Sequence, residues 1–112
     1  MSDILDLKPL LEITDGDSDY EKELLGELFD DGDEIIEKIQ NLFPDGDPFE
    51  LGEEVHKLKG CLGYIACKEI MERISTLETK GRKEKEMPSS DEFNKVINDY
   101  KEVKEAIEKY LS

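Results

Sequence analysis

The chain has 112 residues, 37% of them hydrophobic and 40% charged, with a net charge of −15. That length makes one domain with a modest core, and so acidic a surface argues against nucleic acid or an anionic membrane as partner, since both would repel it. No apolar run approaches the ~20 residues of a membrane span and the start lacks a signal peptide's basic and apolar regions, so a cytoplasmic protein is expected.

Met1 to Thr14 carries Ile4, Leu5, Leu7, Leu10 and Leu11, interrupted by Pro9. So short and broken a segment is expected as a short helix or extended cap over one end of the core, setting residues 1–17 apart from a helical bundle over 18–111. Asp15-Gly16-Asp17-Ser18-Asp19 follows, with Ser18 or Asp19 placed to cap the next helix. This acidic run raises the question of a calcium loop, which wants oxygen ligands at positions one, three and five, glycine at six and glutamate at twelve. Counted from Asp15 the first three fit, but Tyr20 stands at six and Gly26 at twelve. The turn glycine and the bidentate carboxylate are both missing, which argues against calcium.

Tyr20 to Asp30 reads as a helix with Tyr20, Leu24, Leu25, Leu28 and Phe29 on its inner side. Asp30-Asp31-Gly32-Asp33 is expected to break or bend it before a second helical stretch to about Phe43. Pro44-Asp45-Gly46-Asp47-Pro48 is the clearest turn, with Asp47 as N-cap and Pro48 at the first helical position. The helix they start is expected to run to about Ala66. At about 100° per residue, its Leu51, Val55, Leu58, Leu62 and Ile65 form one core stripe.

Lys68 to Lys80 follows with Ile70, Ile74 and Leu77 as its stripe and Gly81 as expected C-cap. Arg82 to Pro88 reads as a charged, locally basic loop. Ser89, Ser90 or Asp91 caps a last helix in which Phe93, Val96, Ile97, Tyr100, Val103, Ile107, Tyr110 and Leu111 recur at three and four. With no strand pattern and no repeat, the fold class is all-α: an antiparallel four-helix bundle with one or two additional short N-terminal helices. Cys61 and Cys67 on one helix would be about 9 Å apart in rise and point differently, which excludes a disulfide. One histidine and no CxxC leave no zinc set.

That histidine, His56, points away from the core stripe, and Gly52, Lys59, Gly60 and Gly63 share its face. A glycine inside a helix costs about 1 kcal/mol relative to alanine, so three cost roughly 3 kcal/mol of the ~5–15 kcal/mol that holds a domain together. Glycines serving helix packing would sit on the apolar side. Around an exposed imidazole they instead clear side chains so that something large can approach. Lys59, one turn along, places a cation where an anion on that imidazole would lie.

His56-Lys57-Leu58-Lys59-Gly60, with Gly63 seven residues after the histidine, resembles the signature of histidine-containing phosphotransfer (HPt) domains. Glu78 lies where such domains carry a Gln or Glu that hydrogen-bonds the phosphorylatable imidazole. Cys61 and Ala66 depart from the common form, where Ser and Gly are frequent, but both are small. The resemblance implies a phosphorelay intermediate: His56 accepts a phosphoryl group from a receiver-domain phospho-aspartate, or from a sensor histidine kinase, and passes it to a response-regulator aspartate. It also implies a monomer, and Mg2+ supplied by the partner receiver.

In that role Nε2 of His56 attacks as the neutral imidazole, Glu78 accepts from Nδ1–H and fixes the tautomer, and Lys59 offsets phosphate charge. Gly52, Gly60 and Gly63 provide approach, while the exposed Glu53 and Lys57 tune partner choice. The chain carries no P-loop and no GxGxxG, so no cofactor of its own is expected and it should not phosphorylate itself from ATP. It reads as a phosphocarrier rather than an enzyme, and Met1 with a complete-looking final helix favours a free-standing chain. The other class of reading is a helical adaptor that docks a signalling partner without phosphate chemistry, in which His56 is replaceable. A plain docking face would favour aromatic or aliphatic anchors over glycines.

Overall fold

The computed structural model describes residues 4–112; Met1 to Asp3, where the expected cap segment begins, lie outside them. Among the described residues five α-helices account for the architecture: α1 (Lys8–Thr14), α2 (Ser18–Leu42), α3 (Pro48–Leu62), α4 (Lys68–Arg82) and α5 (Ser90–Leu111). The last four pack in cyclic order, α3 between α2 and α4 and α5 closing the ring against α4 and α2. The all-α bundle therefore carries one short extra helix at its N-terminal end.

Asp17, not Ser18 or Asp19, caps α2, its carboxylate accepting from the N–H groups of Asp19 and Tyr20 at 3.0 and 3.1 Å. The middle carboxylate of the acidic run is thus spent on a helix terminus. Of the two courses the sequence left open at residues 30–33, two helices or one, the structure has one: α2 runs through without a break. Gly32 is buried there because Tyr100 of α5 packs onto it, and a Cβ at that position would stand 2.6 Å from the tyrosine oxygen. Beside it, the Tyr100 hydroxyl donates to Asp33 at 2.6 Å and Lys104 donates to the same carboxylate at 2.8 and 3.0 Å. A residue that weakens an isolated helix is here outweighed by the contact it permits.

α3 starts as its sequence predicts, with Asp47 accepting from Phe49 N–H at 3.1 Å and Pro48 in the first turn. It ends at Leu62, short of Ala66. Residues 65–67 turn their backbone to the N-terminal segment instead: Asp6 N–H donates to Ile65, Cys67 N–H to Ile4, and Leu5 pairs with Ala66 in an isolated antiparallel bridge. These long-range bonds replace the helical ones that another turn would have made. From this anchor the chain enters α1, which packs on α2 and buries Leu10 and Thr14.

α4 continues past Lys80 to Arg82, so Gly81 is an internal, buried helical residue rather than a C-cap. Ser89 caps α5 in a reciprocal capping box with Glu92. Leu51, Val55, Leu58, Ile74 and Val103 are completely buried in the shared core, each contributing about 1.5–3 kcal/mol by leaving water. α4 and α5 are further tied by Arg73, whose Nε and Nη2 donate to the buried Asp99 carboxylate at 2.7 and 3.0 Å. Cys61 and Cys67 are free and partly buried, and burial pushes the Cys61 thiol up, away from the thiolate form.

Candidate functional site

The stripe that buries Leu51, Val55, Leu58 and Leu62 leaves the opposite side of α3 in solvent, and His56 stands there with 56% of its side chain exposed. α4 runs antiparallel alongside, so residues after Gly52 on α3 meet residues before Gly81 on α4. Glu78, on the edge of the α4 stripe, arrives at the imidazole with its Oε2 at 3.0 Å from Nδ1. Arg82, one turn further, places Nη1 at 2.8 Å from the same oxygen and 3.3 Å from Nδ1. Lys59 sets its ammonium 3.4 Å from the other oxygen, Oε1, which is buried and takes no hydrogen bond among the described residues. The result is one carboxylate shared by an imidazole, a guanidinium and an ammonium.

Burial alone would raise the Glu78 carboxyl, but the hydrogen bonds from Arg82 and His56 and the charge of Lys59 outweigh it and hold it below the usual carboxylate range. Ionised, it can only accept. The neutral imidazole therefore keeps its proton on Nδ1, facing Glu78, in preference to taking a hydrogen bond from the more distant Arg82. Nε2 is left with its lone pair free, and it has no partner among the described residues. A tautomer fixed by a carboxylate, with the outward nitrogen nucleophilic, is what attack on phosphorus requires.

His56, Lys59 and Glu78, singled out from sequence, thus meet within hydrogen-bond or ion-pair distance. Gly60 opens onto free space, with nothing within 4 Å of where a Cβ would be, and Gly63 is exposed beyond the end of α3. Gly52 does something else. It is buried, and a Cβ there would stand 2.6 Å from the backbone nitrogen of Arg82. It clears room for α4, not for an incoming partner, which corrects its reading as an approach glycine. Lys57 pairs with the buried Glu54 at 2.9 Å, and Glu53 lies 3.8 Å from Arg82, so both flanking charges are engaged within the fold.

Arg82 is the residue that sequence reasoning missed, placed in a charged loop when it closes the last turn of α4. The signal was present: it follows Glu78 by four, the spacing of a helical ion pair. Beside the cluster lies a depression of about 320 Å3 lined by Lys59, Arg82 and Lys83 and by Glu78, together with Phe49, Ser75 and Thr79. Three cations against one carboxylate leave the cleft net positive, which suits an anion.

A small helical bundle that presents an exposed histidine backed by a carboxylate is the architecture of a phosphocarrier domain. The chain matches the Hpt domain model over residues 23–110 and belongs to that family, whose role is histidine phosphotransfer in phosphorelays. No curated protein and no solved structure matched it. No helix among the described residues is long and apolar enough to cross a membrane.

Proposed function

We propose that this protein is a phosphorelay intermediate in which His56 carries the phosphoryl group between aspartates of two receiver domains, or from a sensor kinase to a regulator. The observation that carries the reading is the 3.0 Å contact between Nδ1 and Glu78 on an imidazole that is otherwise open to solvent. Nε2 attacks the phosphorus of an aspartyl phosphate; the N–P bond forms as the P–O bond to the acyl carboxylate breaks, and the aspartate leaves with that electron pair. No proton moves, because Nε2 is unprotonated at the start and Nδ1 keeps its hydrogen throughout.

The ring becomes cationic on phosphorylation, and Glu78 offsets that charge while Lys59 and Arg82 face the phosphoryl oxygens. Mg2+ and the remaining catalytic groups come from the receiver. The protein acts only together with such a partner, as a phosphocarrier, and we place it in the cytoplasm as a monomer. Gly60 and Gly63 keep the surface beside His56 low, so a receiver can bring its aspartate to the ring.

The test is transfer of labelled phosphate from a phosphorylated receiver, with magnesium, to the protein and to His56→Gln. Acid-labile, base-stable label on the native chain alone is the expected result. A folded native chain that takes label from none of several receivers would sink this reading and favour an adaptor without phosphate chemistry.

A further inference from the structure

α1 packs on α2, the segment before it is bonded to the turn after α3, and none of the Cα atoms of α1 lies within 8 Å of one in α5. Between α1 and the C-terminal half of α5 this leaves a groove of about 1310 Å3. Ile4, Leu5, Leu7, Leu11, Ala106 and Tyr110 supply its apolar lining, and Leu11 and Tyr110 are each 42% exposed. The volume exceeds the ~300–1,000 Å3 of a small-ligand pocket, which points to a segment of polypeptide. The walls are α1 and α5, whose backbone groups are paired within the helices, and the extended residues 4–7, whose ladder bonds already go to residues 65–67, so an added strand would find few ladder partners. A helix brings its own hydrogen bonds and needs only an apolar face.

The rim decides what kind of helix. Glu12, Asp15, Glu102 and Glu105 line the groove against only Lys8 and Lys109, on a chain that carries −15 overall. A second copy of so acidic a chain is repelled, and so is an acidic peptide. The groove is also separate from His56: none of its lining residues belongs to α3 or α4, which carry the His56 cluster.

We infer that the α1–α5 groove docks an amphipathic helix with basic flanks, contributed by a partner protein, while leaving the His56 face free. Such a contact would tether the chain at one location without blocking phosphotransfer. The inference stands on the groove alone and does not require His56 to be a phosphoryl carrier.

The experiment is an NMR titration of the full chain with a synthetic helical peptide bearing leucines at i, i+3, i+4 and i+7 and lysines and arginines on its flanks. A twin with glutamates in place of the basic residues serves as comparison. Saturable shifts confined to α1 and the end of α5, at least tenfold weaker for the acidic twin, are expected. Glu102→Lys with Glu105→Lys should weaken the basic peptide about tenfold, as should Leu11→Glu; all three positions are exposed, so the fold is retained. Equal binding of both peptides, shifts on the His56 face, or no saturable shift would overturn the inference. So would a concentration-dependent dimer that Leu11→Glu dissolves, which would make a second copy the occupant.

Discussion

Gly52 and Gly81 lie backbone against backbone: a Cβ on Gly81 would stand 2.8 Å from the Cα of Gly52. This close crossing sets the distance between α3 and α4, and with it the reach of Glu78 and Arg82 to His56. Gly52→Ala is therefore expected to destabilise the fold by about 1–3 kcal/mol through overpacking, although alanine is the better helix former. Gly60→Ala, on the same helix with open space around it, is expected to stabilise by about 0.5–1 kcal/mol. Denaturant unfolding of the two variants checks the opposite signs. Phosphotransfer should slow in both, because Gly52→Ala displaces Arg82 and Gly60→Ala raises the surface a partner must approach.

Those two glycines also show what was legible in the sequence. The helical wheel places Gly52 and Gly60 correctly on the side of His56, but it cannot say that α4 covers one and not the other. The start of α3 was readable because Asp47 and Pro48 act within one turn. Its end was not, since Leu62 is the last helical residue only because residues 4–6 capture the backbone that follows. Whether the chain breaks at Gly32 was undecidable for the same kind of reason: the Tyr100 ring that fills the space lies 68 positions further along the chain. Periodicity found the faces of the helices; contacts between distant segments set their number and lengths and brought Arg82 to the site.

Glu78→Ala is expected to release the imidazole tautomer. Nitrogen-detected NMR of the native protein should show His56 protonated at Nδ1, and the variant should shift toward the Nε2–H form that predominates in free imidazole side chains. A hydrogen bond to a charged group is worth about 1.5–3 kcal/mol, so phosphoryl transfer should fall by about ten- to 150-fold. Glu78→Gln keeps an acceptor oxygen and should retain the tautomer. If the alanine variant keeps the Nδ1–H form, the 3.0 Å contact is not what fixes it.

Asp99 is 1% exposed and holds Arg73 through two hydrogen bonds. Arg73→Ala leaves the buried carboxylate only the Lys95 ammonium, 3.6 Å from its Oδ1, and should cost up to about 3 kcal/mol in denaturant unfolding. Once folded, the variant should still accept phosphate on His56, because the pair lies between α4 and α5. A loss of labelling with unchanged stability would contradict this separation.

Acid sensitivity has a specific origin at the start of α5. Glu92 accepts from the Ser89 N–H, and this bond with the Lys80 contact lowers its carboxyl from 4.5 to about 2. A carboxyl depressed by folding stabilises the folded state above its unfolded value, and that stability drains away as pH falls through the folded one. Unfolding curves should lose stability between about pH 4.5 and pH 2, with Glu78, also held low, contributing in the same direction. Glu92→Gln keeps the side-chain length but cannot ionise, so it should be less stable than the native chain at neutral pH. Below pH 2 the two should converge. A constant difference across the whole range would mean that the capping geometry, and not the carboxylate charge, holds the end of the helix.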